Sequence, residues 1–226
     1  MSLWQALTLG IVQGLTEFLP VSSSGHLILL PKLFGWTDQG LAFDTAIHLG
    51  TLIAVLFFFR VQLRKFFLAV WHYRRAELKS DRRLAWYVLL STIPVGAAGF
   101  FWGDWIEQHT RSSSLVAMSL IGWGIVLLAA DWRNRRQERI GATRPINEIT
   151  TRNVWAMAFA QAIALIPGTS RSGITMTAGL FSGLKKTAAA EFSFLMSIPV
   201  ITLASTAKLA EVINGAGEVS GTALLA

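Results

Sequence analysis

Two short segments place serines, a histidine and an arginine inside otherwise apolar stretches of the chain. The first is PVSSSGH at residues 20–26, which follows Glu17, and the second is PGTSRSG at residues 167–173. Serine hydroxyls and the backbone N–H groups of a glycine-containing turn bind anions. The planar guanidinium of Arg171 can hold a phosphate through two parallel hydrogen bonds. Together the two segments predict a phosphate site.

A carboxylate and an imidazole beside the first segment could supply acid–base chemistry. Glu17 lies four residues after Gln13, so both side chains share one face of a helix. A carboxylate within a membrane is a functional candidate by default, and the alternative is a structural ion pair between Glu17 and Arg171. His26 could act as a general acid or base near neutral pH, although a lone histidine is often only hydrogen bonded.

The hydroxyl groups of the two segments also have a structural explanation. Serine and threonine commonly cap helices and line the contacts between helices. Taken singly, each hydroxyl is expected to be a cap rather than a nucleophile, whereas together they could bind an anion. The residues concerned are Ser22, Ser23, Ser24, Thr169, Ser170 and Ser172.

A second pair of ionisable residues, Asp44 and His48, lies in the apolar stretch that follows the first segment. With a spacing of four residues, they could contact the residues that bind the phosphate, or they could pack between helices. The spacing does not separate these alternatives. The sequence contains no zinc-ligand spacing, no P-loop and no dinucleotide-binding glycine motif.

Composition indicates an integral membrane protein. Hydrophobic residues make up 53% of the 226 residues and charged residues only 15%, against about 25% charged in soluble domains. Mean hydropathy is +0.49. Four segments have the composition of membrane spans, namely 39–59, 84–103, 112–130 and 192–207. We predict an all-α polytopic membrane protein with a single domain over residues 1–226.

The distribution of charge predicts the orientation in the membrane. Residues 60–83 hold eight Lys or Arg against two acidic residues, and residues 133–152 hold six against two. The positive-inside rule predicts that both segments are cytoplasmic loops. Membrane topology thus accounts for the excess of basic residues, and no nucleic-acid partner is predicted. Gln39 and Gln108 are then outside.

The N-terminus lacks the basic region and cleavage site of a signal peptide, and the chain has no cysteine for disulfide or thiolate chemistry.

The chain contains a weak internal repeat, with a first copy at about 1–60 and a second at about 153–210. A shift of 148 positions superimposes Gln13 on Gln161, Ser22 on Ser170, Ser24 on Ser172 and Gly25 on Gly173. In each copy a glutamine-bearing helix precedes a proline, a serine-rich turn, a short apolar segment and a long span. This shared order carries more weight than the individual matches of serine and glycine.

The two copies are predicted to have opposite orientations. The second copy starts after a cytoplasmic segment and reaches Lys185 and Lys186, which favour the cytoplasm again. Its first helix, at ~1.5 Å per residue, covers roughly 21 Å of a core of ~30 Å, so the copy is re-entrant. Inverted repeats bring their broken segments together near the midplane. The sequence therefore predicts an inverted-topology repeat with two opposed re-entrant helical hairpins.

The stretches QGLTEFLPVSSSGHL and PGTSRSG closely resemble the paired motifs of the undecaprenyl-diphosphate phosphatases, the bacitracin-resistance family of bacterial inner-membrane enzymes. FDTAIHLGTLIAV and EFSFLMSIP are also similar to family segments, and the resemblance covers nearly the whole chain. It implies hydrolysis of undecaprenyl diphosphate to undecaprenyl phosphate and inorganic phosphate, which recycles the lipid carrier for the cell wall. It also implies a divalent cation, Mg²⁺ or Ca²⁺, and an active site that opens to the periplasm.

The resemblance also implies roles for single residues. Glu17 matches the family's metal- or phosphate-site glutamate, Ser23 its proposed nucleophile, His26 its catalytic histidine and Arg171 its phosphate-binding arginine. Many members have glutamate where this chain has Gln13, so Glu17 would hold the metal with Gln13 only as a neighbour. The chain departs from the family pattern in a second way as well. Family members usually continue with a further hydrophobic helix beyond the position that matches Ala226.

We interpret the sequence as a lipid diphosphatase of the bacterial inner membrane. Its expected partners are undecaprenyl diphosphate and the bilayer, and a homo-oligomer is possible. Ser23 could attack the phosphorus directly, or a water activated by His26 could. The phosphate ligands are predicted to be Ser22, Ser24, Thr169, Ser170, Arg171 and Ser172. A transporter or flippase of a lipid phosphate is the main alternative, because inverted repeats with broken helices are also transporter architecture. A purely structural membrane subunit fits the buried ionic residues poorly.

Overall fold

The computed structural model describes residues 1–110 and 112–213, and in these residues the regular secondary structure is helical throughout. The described residues form ten α-helices: α1 Leu3–Thr16, α2 Ser23–Leu33, α3 Gly40–Phe58, α4 Arg60–Trp71, α5 Lys79–Leu90, α6 Thr92–Thr110, α7 Ser113–Arg139, α8 Thr151–Ile163, α9 Arg171–Phe181 and α10 Lys186–Ile213. Two short 3₁₀ turns, Ala76–Leu78 and Ile146–Glu148, precede α5 and α8. The predicted all-α class is confirmed.

Several helices are long and apolar enough to cross a membrane. Among the described residues these are Ala76–Gly103, Ser113–Arg139 and Lys186–Ala207, and a fourth span results if Phe43–Phe58 and Arg60–Trp71, which meet at 72°, are taken together. The predicted segments 84–103, 112–130 and 192–207 fall within the first three, and 39–59 corresponds to α3. The chain is therefore a helical membrane protein.

The first basic segment is largely helical, and the second is helical at its start. Residues 60–71 form α4, residues 79–83 begin α5, and residues 133–139 end α7. These helical stretches were not predicted, because a helix needs only one apolar stripe, and the cytoplasmic location of both segments stays a prediction. In α4, Phe66 and Ala69 are buried three residues apart while Arg64 and Lys65 stay exposed.

The core is formed mainly by the second half of the chain. Helix α9 packs against α7, α8 and α10, and α10 packs in turn against α3. Large apolar side chains fill the centre of this group, among them Met157, Leu180, Phe192 and Leu195. A smaller cluster joins α1, α2 and α3 through Ala6, Leu9, Leu27 and Phe43. This arrangement holds the ends of α1 and α9 beside each other.

The outer faces of the helices are apolar, as expected for contact with lipid. Exposed side chains on α7 include Met118, Ile121, Ile125 and Leu128, which recur at helical spacing along one face. Helix α1 exposes Leu7, Ile11 and Leu15 in the same way. Large contiguous apolar surfaces of this kind are unusual on soluble monomers.

Candidate active site

Both serine-rich turns end as N-terminal caps of short helices. The Ser22 hydroxyl accepts a hydrogen bond from the Gly25 N–H at 3.2 Å at the start of α2, and the Ser170 hydroxyl accepts one from the Gly173 N–H at 3.0 Å at the start of α9. The cap interpretation is thus confirmed for these two serines. Ser22 has a φ of +65°, a strained value for a residue with a Cβ, of the kind that clusters at functional sites.

The two turns also resemble each other in their hydroxyl pairs. Ser22 Oγ lies 3.2 Å from Ser24 Oγ, and Ser170 Oγ lies 3.2 Å from Ser172 Oγ. Ser172 Oγ additionally donates to the Leu19 carbonyl at 3.1 Å. This bond ties the second turn directly to the first, so the structure brings together the two motifs that the sequence separates.

Glu17 is the centre of the site. Arg171 Nη2 donates to its Oε1 at 2.6 Å, while Ser23 Oγ donates to its Oε2 at 2.5 Å. His48 Nε2 lies 3.2 Å from the same Oε2, and the amide of Gln13 lies at 3.5 Å. Four donors therefore converge on one buried carboxylate, which a lone charge at this depth requires.

Arg171 is held from two directions. Besides Glu17, its guanidinium donates through Nη1 to the Ser193 carbonyl of α10 at 3.1 Å. The Ser193 hydroxyl pairs in turn with Thr175 at 2.7 Å, one helical turn along α9. The ion pair between Glu17 and Arg171, one of the two alternatives left by the sequence, is formed.

A cavity of about 260 Å³ opens at this cluster. Its polar lining comes from both turns and their neighbours, namely Glu17, Ser22, Ser23, Ser24, Asp44, His48, Thr169, Ser170, Arg171 and Ser172. Its apolar lining includes Ile28, Val95, Leu165, Val200 and Ile201. Within the described part of the chain, three buried atoms on residues that line this cavity have no hydrogen-bond partner, namely Gln161 Oε1, Thr169 Oγ1 and Ser205 Oγ. Buried polar atoms are normally paired, so these three are available to a ligand.

The N-termini of α2 and α9 meet at the cavity. The first N–H groups of a helix have no partner within the helix, and the helix dipole adds partial positive charge there. Ser23 and Ser24 lie in the first turn of α2, and Arg171 and Ser172 in the first turn of α9. Two such ends at one cavity that Arg171 also lines are features by which proteins bind anions.

The two histidines of this region have different positions from those expected. His26 lies on α2 with Nδ1 2.7 Å from the Ser22 carbonyl, and it is absent from the described lining of the cavity. His48 of α3 lines the cavity and reaches Glu17. The structure thus unites Glu17, Ser23 and Arg171 but leaves His26 aside. The sequence raised His48 only as a residue that supports the site or packs between helices, although an ionisable side chain in a predicted span was a signal for a direct contact.

Asp44 and His48 do interact, but through the backbone. His48 Nδ1 lies 2.5 Å from the Asp44 carbonyl oxygen, while the Asp44 side chain accepts from Gln39 Nε2 at 2.6 Å. Because the far side of the His48 ring contacts Glu17, the pair supports the site rather than only joining helices.

The residues present do not fit a metal ion held by the protein. No three His, Asp or Glu side chains among the described residues are placed to ligate one. Both oxygens of Glu17 already accept hydrogen bonds, and Gln13 adds no negative charge. Mg²⁺ and Ca²⁺ bind through oxygen ligands that usually include carboxylates, and a cation at Glu17 would lie beside the guanidinium of Arg171, whose positive charge opposes it.

Comparison with known proteins gives consistent matches. The family described as bacitracin resistance protein BacA matches residues 6–225. The chain is 49% identical to undecaprenyl-diphosphatase 2 of Stutzerimonas stutzeri, over 99% of this chain and 82% of that protein. It is 49% identical to the undecaprenyl-diphosphatase of Nitrosococcus oceani, over 96% and 80% of the two chains. It is 52% identical to that of Thioalkalivibrio sulfidiphilus, over 90% and 75%.

Proposed function

Because the chain belongs to the bacitracin resistance protein BacA family, we propose that the cavity at Glu17 and Arg171 is its active site. The protein is an undecaprenyl-diphosphatase. It hydrolyses undecaprenyl diphosphate to undecaprenyl phosphate and inorganic phosphate, and so recycles the lipid carrier used for peptidoglycan and other envelope polymers. One observation carries the assignment of the site: two helix N-termini, a guanidinium and a carboxylate-bound serine meet at one cavity.

The terminal phosphate of the substrate lies between the two serine-rich turns. Arg171 and the N-terminal amides of α2 and α9 stabilise the charge of the transferring phosphoryl group, which is where catalysis of phosphoryl transfer chiefly arises. The unpaired Thr169 hydroxyl is a further donor on the α9 side. Ser22, Ser24, Ser170 and Ser172 shape the two turns and supply hydroxyls at their rim.

Ser23 is the nucleophile in this proposal. Its oxygen forms a bond to the terminal phosphorus, the bridging P–O bond breaks, and undecaprenyl phosphate leaves with the electron pair. The proton of Ser23 passes to Glu17 Oε2, which lies 2.5 Å away and so meets the geometric requirement for a base. Water then attacks the phosphorus of the phosphoserine, and the bond between Ser23 Oγ and phosphorus breaks. Ser23 recovers its proton from Glu17, and the proton released by the water leaves with inorganic phosphate. The role of His26 stays a prediction.

The prenyl chain leaves the cavity on its apolar side. Ile28, Val95 and Ile201 line that side, and the outer faces of the helices are apolar. Burial of apolar surface contributes about 25 cal/mol per Å², so a lipid tail gains from this route while the diphosphate stays with the polar lining.

The fold is proposed to be an inverted repeat. Helices α1 and α2 have 14 and 11 residues, and α8 and α9 have 13 and 11. The equal hydroxyl distances and matching caps of the two turns support this proposal. Helices of 13 or 14 residues cover only about 20 Å at ~1.5 Å per residue, which favours re-entrant hairpins. The basic segments then face the cytoplasm of a bacterial inner membrane, and the cavity opens to the periplasm.

Phosphate release from purified protein tests the proposed function. Given undecaprenyl diphosphate in detergent, the protein should release one inorganic phosphate per lipid and leave the monophosphate. Intact lipid diphosphate bound without release would refute hydrolysis and favour a transporter. A chelator arm tests the divalent cation, which the family resemblance predicts and the ion pair of Glu17 with Arg171 disfavours.

A further inference from the structure

His48 differs from the other histidines in having two hydrogen-bonding partners. In all four histidines, Nδ1 contacts the carbonyl oxygen of the residue four positions earlier in the chain, within a helix or at its end. This contact is therefore a general property of histidine on these helices. In the described part of the chain, only His48 also places Nε2 on another side chain, at 3.2 Å from Glu17 Oε2.

The two contacts of His48 define its ring nitrogens as hydrogen-bond donors. The Asp44 carbonyl and the Glu17 carboxylate are both acceptors, so both ring nitrogens donate. The first contact fixes the ring on α3, and the second delivers a donor to the oxygen that Ser23 also uses. His48 thus connects a long, well-packed helix to the carboxylate of the site.

Without His48, Glu17 would have an alternative arrangement. Arginine and carboxylate groups frequently pair through two parallel hydrogen bonds, whereas here Arg171 contacts Oε1 and Ser23 contacts Oε2. A donor on Oε2 from the side of α3 opposes rotation of the carboxylate into a two-bond pair with Arg171. Such a rotation would remove the acceptor from Ser23 and occupy the guanidinium.

We propose that His48 is a positioning residue for hydrolysis, which holds Glu17 Oε2 against Ser23 and keeps Arg171 available to phosphate. The inference rests on the proposed function of the same cavity. It concerns a residue that does not touch the substrate phosphorus and acts through Glu17 alone.

Two amide substitutions at His48 test the proposal as a matched pair. The amide nitrogen of His48→Gln reaches the position of ring Nε2, so it retains the donor to Glu17. The shorter side chain of His48→Asn ends near ring Nδ1, so it retains only the contact with the Asp44 carbonyl. Both substitutions are neutral amides of similar polarity, and His72→Leu removes a carbonyl contact of the general kind at an exposed end of α4.

The assay measures kcat and KM for phosphate release from undecaprenyl diphosphate, for proteins with equal thermal unfolding midpoints. We expect His48→Asn to lose about 10- to 150-fold in kcat, the loss typical of one hydrogen bond to a charged group, with KM close to that of the wild type. We expect His48→Gln to stay within a few-fold of the wild type, and His72→Leu to match it.

The possible results separate the two hypotheses. Equal kcat values for His48→Asn and His48→Gln, whether high or low, would overturn the positioning role, and so would a loss confined to KM. Absence of phosphate release from the wild-type protein would overturn the proposed function itself, and the positioning role with it.

Discussion

Replacement of single serines in the first turn of α2 distinguishes a nucleophile from a phosphate ligand. Ser23 and Ser24 are neighbours in this turn, so alanine at either position changes helix propensity equally. Ser23 Oγ donates to the Glu17 carboxylate at 2.5 Å, whereas Ser24 Oγ pairs with the neutral Ser22 hydroxyl at 3.2 Å. The pair is therefore matched in backbone position and differs in chemistry.

The expected losses follow from these contacts. Ser24→Ala removes a neutral hydrogen bond of about 0.5–1.5 kcal/mol, which corresponds to about 2- to 13-fold in rate. Ser23→Ala removes a hydrogen bond to a charged group, about 1.5–3 kcal/mol or about 10- to 150-fold. Loss of an obligatory nucleophile adds to this, so we expect Ser23→Ala to exceed about 150-fold.

The assay is phosphate release per mole of folded protein at saturating undecaprenyl diphosphate, with the unfolding midpoint of each variant as the control for folding. A loss of only about tenfold for Ser23→Ala would equal one hydrogen bond and would eliminate the covalent route in favour of water. A loss for Ser24→Ala as large as that for Ser23→Ala would refute the distinction drawn from the structure.

Three further predictions concern the guanidinium, the second turn and the orientation of the chain. Arg171→Lys keeps the charge but lacks the two-pronged donor, so we expect a large fall in kcat with folding retained; wild-type activity would contradict a planar phosphate contact. Gly168 has a φ of +86°, and a Cβ there would lie 2.5 Å from the Val116 carbonyl oxygen, so Gly168→Ala should lower the free energy of unfolding by about 1–3 kcal/mol in denaturant titration. An unchanged denaturation midpoint would contradict both the backbone strain at this φ and the close contact with α7. Because the chain has no cysteine, single cysteines at Arg74 and Gln108 can be probed with an impermeant thiol reagent on intact cells. We expect labelling at 108 alone, and labelling at 74 would contradict the inverted repeat.

The partners within the active site were predictable where the chemistry was unusual for its surroundings. Glu17 and Arg171 lie in apolar stretches, and a buried charge requires a partner, so their pairing could be anticipated. The shared order of features in the two serine-rich segments also indicated that their turns would meet. Ser170 and Ser22 are caps, as their residue type suggests.

Contacts between distant helices could not be predicted from local patterns. His26 lies two residues after the last of the three serines, yet the helix that Ser22 caps carries its ring to the Ser22 carbonyl instead of the cavity. His48 reaches Glu17 because α3 packs against α1 and α10, and no local spacing encodes that packing. In the same way, charge dominated the interpretation of residues 60–71, and the apolar stripe of α4 was overlooked.

The central claim is that the two turns, from opposite halves of the chain, form one catalytic unit. A double-mutant cycle in kcat/KM for phosphate release, with Ser23→Ala, Arg171→Lys and both together, tests it most directly. Residues that act as a unit have strongly non-additive effects, so the double variant should be no more than about threefold worse than the more damaged single variant. Losses that multiply across the two substitutions would show that Ser23 and Arg171 act independently, and would contradict a single site built from both turns.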